Sequence, residues 1–270
     1  MPAITFLSDY GRDDDFVGVC HAVMARIAPH APVVDITHGI PRHDVRSGAL
    51  VLCRTLPYAP AGVHLAVVDP EVGAERRAVA IRCAREDRIL VGPDNGLLGP
   101  AAERFGGATE AIDVGRSPHR LEPVSATFHG RDIFAPVAAH LAAGEAFRDA
   151  GEPLDPAELT TLDLPHARIE DGALVCHLLA IDRFGNLQLD AGHDDLGAVG
   201  LRLGRPVEVD LGEGDVIPAT YAVTFADVEP GALLVYEDAY RTLAIAVNRG
   251  HAAEELEVRL DHELRIAARG

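Results

Sequence analysis

No lysine occurs in the chain, so all 24 fixed side-chain cations are arginines. That excludes a lysine Schiff base, a pyridoxal-phosphate lysine and a phosphate-binding GK[ST] loop. Positive charge is scarce overall: 42 Asp and Glu outnumber it and leave a net charge of −18. Nonspecific binding to nucleic acid or to an anionic membrane needs a basic footprint, so neither partner is expected. The four cysteines, Cys20, Cys53, Cys83 and Cys176, are far apart in sequence and form no C-x-x-C. A zinc cluster or redox dithiol is therefore not expected, and buried free thiols in a reducing compartment are. No apolar run approaches the roughly 20 residues that span a bilayer. The first residues, MPAITFLSDYGRDDDF, lack the basic and apolar regions of a secretory signal. A cytoplasmic location is the expectation. The G-x-G-x-x-G, G-x-S-x-G and H-E-x-x-H patterns are also missing, which removes the main support for dinucleotide, serine-hydrolase and zincin chemistry.

What is present is a globular composition over 270 residues, with 48% hydrophobic and 24% charged residues. In the first half, short apolar runs alternate with helix-like stretches. Ala3–Leu7, Val33–Ile36, Val63–Val68, Ala78–Cys83 and Arg88–Val91 read as strands. Phe16–Ile27 and Val45–Leu56 carry apolar residues at helical spacing and stop just before Pro29 and Pro57. This alternation predicts an α/β domain over residues 1–150, with a mostly parallel sheet flanked by helices. Residues 151–168, rich in Pro, Asp, Glu and Leu, read as a linker. From 169 to 270, short strands follow one another with turn residues between them: Gly172–Asp182, Asn186–Leu189, Arg205–Val209, Tyr221–Phe225, Ala232–Tyr236 and Leu243–Val247. That spacing predicts an all-β domain, a small barrel or sandwich.

Ligands of open α/β sheets sit beyond the carboxyl ends of strands. Asp9 and Asp69 both lie just past predicted strand ends. Asp9 is suited to a ribose diol, or alternatively to Mg²⁺. Asp13–Asp15 are expected to cap the next helix. An Asp69 carboxylate can be oriented by the arginines that follow it, Arg76 or Arg77. His129 precedes Gly130 in a polar knot, TFHGRD, before an apolar helix. Asp94 and Asn95 read as a tight turn. Asp182, Phe184 and Asn186 place a carboxylate, an aromatic and an amide within five residues, a set that suits an ammonium and a heteroaromatic base. Asp35, His38, His43 and Asp44 fit no tight metal-ligand spacing.

In order along the chain, FLSDYG, DITHGIPRHDVRSGA, VVDPEVGAERR, GPDNGLL, TFHGRDIFAPVAAHLAAG, IDRFGN, TFADVEPG and LAIAVNRGHAA resemble the S-adenosyl-L-methionine (SAM) hydrolases, also called SAM hydroxide adenosyltransferases. The fluorinases and chlorinases are their relatives. The resemblance covers nearly the whole chain. It implies an N-terminal α/β domain, a C-terminal β-barrel, and a homotrimer with sites between subunits. It also implies hydrolysis of SAM to adenosine and methionine by attack of water or hydroxide at C5′, with SAM as substrate and no cofactor or metal. The residues matching the family's catalytic trio are Asp69, Arg76 and His129. Halogenating relatives carry Tyr where this chain has Asp69, and Ser where it has Gly130. Asp9 matches the carboxylate that holds the ribose. Asp182 and Asn186 match contacts to the methionine ammonium and adenine, and Phe184 and Phe225 match aromatic positions of the adenosine pocket. Tyr240, in the loop 238–242, and Arg249 match positions of backbone contacts to the methionine carboxylate and adenine. The chain departs from the family pattern at Leu187-Gln188, where Thr-Asn is usual, and at Glu237–Arg241, where small residues are usual. The competing expectations are a SAM- or adenosine-binding sensor without turnover, a metal-dependent phosphoesterase using Asp9, Asp14, His38 and Asp44, and halide transfer.

Overall fold

The computed structural model describes residues 2–212 and 214–269. The chain divides into two compact units, Met1–Leu162 and Asp163–Gly270.

The N-terminal unit is built from β1 (Ala3–Ser8), α1 (Phe16–Ile27), β2 (Val33–Thr37), α2 (Val45–Thr55), β3 (Gly62–Val67), β4 (Ala78–Cys83), β5 (Ile89–Pro93), α3 (Gly99–Arg104), β6 (Ala108–Asp113), α4 (Ala135–Ala143) and β7 (Glu152–Leu154). The seven strands form one sheet in the order β2-β1-β3-β5-β4-β6-β7. Its first half is parallel: β1 pairs with β2 and β3, and β3 with β5. Its second half is antiparallel, so the sheet is mixed. The switch follows from connection length. Only Ala84–Arg88 joins β4 to β5, too short for a crossover, and Glu86 and Asp87 take positive φ values of 66° and 44° to close the turn.

β1 and β3 are buried along their whole length, as central strands covered on both faces must be. One face packs Ile4, Phe6 and Leu65 under α1 and α4. The other packs Leu7, Val68 and Leu90 under α2 and α3. The expected linker is partly structured. Glu152–Leu154 adds β7 to the sheet edge, and the division between the units falls between Leu162 and Asp163. Asp15 stands at the N-cap of α1; its side chain makes no capping hydrogen bond, while its carbonyl accepts from the Val19 amide at 2.9 Å.

The C-terminal unit comprises β8 (Arg168–Glu170), β9 (Ala173–Ile181), β10 (Leu187–Gly192), α5 (His193–Ala198), β11 (Arg205–Asp210), β12 (Val216–Tyr221), β13 (Leu233–Glu237), β14 (Thr242–Val247), α6 (Ala252–Glu255) and β15 (Glu263–Ala268). The order β10-β14-β13-β12-β11-β15-β9 closes on itself through β9–β10, giving a seven-stranded barrel with β8 appended to β9. Alternate residues fill it: Leu174, Cys176 and Leu178 of β9, Leu243 and Ile245 of β14, Leu264 and Ile266 of β15. That is the period of two expected for a strand with one face inward.

One predicted strand is displaced. The strand is Val216–Tyr221 rather than Tyr221–Phe225; it ends at Tyr221, and Phe225 opens a single helical turn. The Asp227 carboxylate accepts from the amides of Val223 and Thr224, which ends the strand there. The β12–β13 pairing is parallel within an otherwise antiparallel barrel.

Among the described residues, no helix is long and apolar enough to cross a membrane.

Beneath the parallel half, His64 is fully buried. Arg88 donates to its Nε2 at 3.1 Å, so Nδ1 carries the proton and donates to Thr5 Oγ1 at 2.8 Å. Burial, helped by the Arg88 charge, pushes its pKa down to about 3. The unfolded chain takes up this proton below about pH 6.5, whereas the folded chain refuses it down to about 3. Stability therefore falls as pH drops through that window, by on the order of 5 kcal/mol from this group. Chemical denaturation at a series of pH values should show an acid limb that is shallower by about one proton in His64→Gln.

Candidate active site

β1 and β3 are parallel neighbours, so their carboxyl ends emerge side by side. They deliver Asp9 and Asp69 to the same edge of the sheet, and the Asp9 amide donates to Val67 O at 3.3 Å. His129 arrives from a third direction, just before the wide helical turn Gly130–Phe134 that leads into α4. The loop carrying it is locked from behind. Buried Asp132 accepts from the Ser125 amide at 2.8 Å and from Arg131 Nε at 2.6 Å. The Leu121 amide donates to Asp132 O at 2.7 Å.

Arg76 joins the carboxylate and the imidazole. Its Nε donates to Asp69 Oδ1 at 2.9 Å, and one terminal nitrogen donates both to Asp69 Oδ2 and to His129 Nδ1. The Asp69 and Arg76 side chains are only 5% and 4% exposed. A guanidinium only donates, so His129 Nδ1 accepts and the ring's single proton sits on Nε2. Burial, then the Arg76 charge, holds His129 below its usual pKa, with Asp69 pulling the other way. Arg77 does not share this duty: it pairs with Asp94, whose other oxygen accepts from the Thr160 amide.

Asp69 and His129 face a cavity of about 380 Å³ together with Asp9, Tyr10, Asp14, Phe16, Arg42, His43 and Thr127. The His43 amide donates to Asp9 Oδ2 at 2.9 Å, which fixes that carboxylate at the rim. Tyr10, Phe16 and Phe128 form an aromatic wall, with centroids 5.2 to 5.9 Å apart. Tyr10 was not among the sequence candidates. Its only signal was an aromatic directly after Asp9 in a loop of carboxylates. Burial raises its phenol pKa, so it stays neutral.

The six candidates from the second half also gather around one cavity, in the C-terminal unit. Asp182, Phe184, Asn186, Phe225, Tyr240 and Arg249 line about 590 Å³, joined by Gln188, Tyr236 and Asp238. Asp182 organises its own turn by accepting from the Phe184 and Asn186 amides and from Asn186 Nδ2. Asp238 does the same for the amides of Tyr240 and Thr242. Phe184 is 68% exposed, with Phe225 at 39% and Tyr240 at 38%. Large apolar rings left open beside carboxylates suit a ligand with a flat base and a cationic end.

The residues of the phosphoesterase expectation do not converge. Asp9 and Asp14 line the first cavity, but Asp44 caps α2 through Ser47 and His38 is buried against Ser8.

Residues 4–151 match the model of the SAM hydroxide adenosyltransferase N-terminal domain, and residues 176–265 match that of the C-terminal domain. The chain belongs to the SAM hydroxide adenosyltransferase family. It is 47% identical to an (R)-S-adenosyl-L-methionine hydrolase of Salinispora tropica, covering 99% of this chain and 98% of that one. An enzyme of the same description from Thermus thermophilus is 38% identical over 98% of this chain and 100% of its own. A fluorinase from Actinopolyspora mzabensis is 29% identical over 98% and 97%. The crystal structure of an uncharacterized conserved protein from Thermotoga maritima superposes with a TM-score of 0.91 at 36% identity, covering 98% of this chain and 99% of that one. Both halves of the family architecture, mixed α/β sheet and closed barrel, are thus present here.

Gly130 is a spatial requirement of this site. A Cβ there would lie 2.0 Å from the Tyr10 hydroxyl and 3.0 Å from Cζ. Gly130→Ala should cost roughly 1–3 kcal/mol of stability, as overpacking does. Removing the hydroxyl in Tyr10→Phe should recover part of that loss in the double variant, measured by chemical denaturation of all four proteins.

Proposed function

We propose that this protein hydrolyses SAM to adenosine and methionine by in-line attack of water at C5′. The observation that carries this reading is the Asp69–Arg76–His129 trio, a buried ion pair joined to a half-buried imidazole, facing a cavity shared with Asp9. It is supported by membership of the family and by the hydrolase relatives.

The leaving group is a sulfonium, which departs as a neutral thioether and needs no general acid. The protein must therefore position SAM, exclude bulk water and prepare one water molecule. Asp9 accepts hydrogen bonds from the ribose hydroxyls. Asp69, held in one orientation by the Arg76 fork, accepts a hydrogen bond from the water. His129 Nε2–H donates to the same water, because its Nδ1 is occupied by Arg76. As the O–C5′ bond forms and the C5′–S bond breaks, the electron pair stays on sulfur. The water proton passes to Asp69 and then to solvent. An ionised carboxylate at this point attracts a water hydrogen and repels a halide, which favours hydrolysis over halide transfer. Phe184 and Phe225 stack on adenine, Asp182 and Asn186 hold the base and the methionine ammonium, and Tyr240 and Arg249 border the methionine carboxylate. We place the reaction in a cytoplasmic homotrimer in which each N-terminal half-site is completed by the C-terminal half-site of a neighbouring copy. No further cofactor takes part.

Chromatography of protein incubated with SAM should show adenosine and methionine in equal amounts, unchanged by a chelator. SAM bound but intact would replace the reaction with a sensing role. Asp69→Ala should lower kcat by roughly 10²- to 10⁴-fold with little change in SAM affinity, in the range of a lost acid–base group. Asp9→Ala should instead raise KM about 10- to 100-fold, the worth of hydrogen bonds to a charged acceptor.

The pH profile follows from the burial of His129. A second proton, on Nδ1, would point at the Arg76 guanidinium and break their contact. kcat/KM should therefore fall on the acid side with an apparent pKa below about 6.5, the usual imidazole value. An acid limb that keeps the same apparent pKa in His129→Gln would remove His129 from the mechanism.

A further inference from the structure

At the open edge of the N-terminal sheet, three side chains converge outside the cavity described above. His21 comes from α1, Asp35 from the edge strand β2, and His38 from the residue just beyond β2. Asp35 Oδ1 lies 2.8 Å from His21 Nε2 and 3.1 Å from His38 Nε2. One ligand atom from each residue falls within 4.8 Å of the others. The His38 side chain is 1% exposed, and Ser8 Oγ holds its Nδ1 at 2.8 Å. Its Nε2 is buried without a hydrogen-bond partner; despite the short distance to Asp35, an N–H there would point off the line to the oxygen. A buried imidazole nitrogen left unpaired next to a carboxylate and a second imidazole costs free energy unless something is received between them.

We propose that His21, Asp35 and His38 form a binding site for a divalent transition-metal ion of the zinc class. Two imidazole nitrogens and one carboxylate oxygen are the ligand types such ions take, whereas calcium and magnesium prefer all-oxygen sets. Three protein ligands leave a fourth position for water, and the His21 and Asp35 side chains, 34% and 33% exposed, open the site to solvent. The Ser8 contact supplies the outer support that ligating histidines usually have. If Nδ1–H donates to Ser8 Oγ, Nε2 carries the lone pair a cation needs. The charge of Arg12 reaches His38 and opposes a cation there; the Asp35 carboxylate offsets it.

The site lies directly behind the rim of the cavity. Ser8 precedes Asp9, the Gly11 amide donates to His38 O at 2.8 Å, and the same segment runs on to His43, whose amide holds Asp9. An ion here would tie α1, β2 and the Asp9 loop together. Its role is structural, and it stands whether or not the chain hydrolyses SAM.

The test is metal binding by the whole chain after chelator treatment and buffer exchange. Zinc is titrated in competition with a chromophoric chelator, and cobalt(II) is followed by visible absorption. One tight ion per chain is expected, with cobalt showing the intense bands of a four-coordinate site and zinc raising the unfolding temperature. His21→Ala and Asp35→Asn, both at partly exposed positions, should each weaken zinc binding by more than about tenfold, and Ser8→Ala by about 10- to 100-fold. Circular dichroism checks that each variant is folded. Absence of a tight site in the wild-type chain would overturn the assignment. So would zinc binding of equal strength in folded His21→Ala, which would place the ion on other histidines.

Discussion

The N-terminal site depends on one buried guanidinium. Arg76 presents its fork to Asp69, and the same terminal nitrogen donates a second N–H to His129. Taking a carboxylate and a guanidinium out of water costs several kcal/mol per ion, which only good geometry and a full set of hydrogen bonds recover. The pair meets that condition by being bidentate and by lying against the Phe134 ring, 5.2 Å from its centroid. The same contact decides the chemistry of the imidazole. Because arginine cannot accept a hydrogen bond, His129 has one available tautomer, and its exposed nitrogen is a donor. In a chain without lysine, this task falls to the side chain best shaped for it.

Around that pair, the sheet acts as a positioning device. Two parallel strands in register bring Asp9 and Asp69 to one edge, although 60 residues separate them in sequence. The third element is less regular. The widened turn at Gly130–Phe134 re-aims the backbone, and the locked Asp132 carboxylate keeps the preceding loop in place. Gly130 is then required because the Tyr10 hydroxyl occupies the space a side chain would need. Strong constraint and chemical function coincide at Gly130, which cannot gain a side chain without a clash and borders the cavity.

The barrel solves a different problem. Its interior is filled by aliphatic side chains at every second position, so its stability does not draw on the loops that carry the second cavity. Those loops are shaped by two carboxylates, Asp182 and Asp238, each gathering nearby amides. With the backbone held locally, Phe184, Phe225 and Tyr240 can remain exposed without loosening the fold. Open apolar surface of this kind is retained where it meets something.

Much of this was legible from residue order. Continuous apolar runs predicted buried strands, proline-terminated periodic segments predicted α1 and α2, and short strands closely spaced between turn residues predicted an all-β barrel or sandwich, because each kind of element leaves its own spacing along the chain. The candidate site residues were readable as chemical types at element ends and by family resemblance. Other features depended on neighbours remote in sequence. β15 is short and flanked by charge, so only its pairing with β9 and β11 identifies it as a strand. The choice between Arg76 and Arg77 turned on which one could reach Asp69, while the other was claimed by Asp94. Tyr10 gained its importance from Gly130, and the tautomer of His129 from Arg76. The sequence by itself determined which groups the protein possesses and roughly where along its elements they lie. The tertiary structure alone decided which groups meet, because hydrogen bonds and steric exclusion act over a few ångströms in space and leave no periodic trace along the chain.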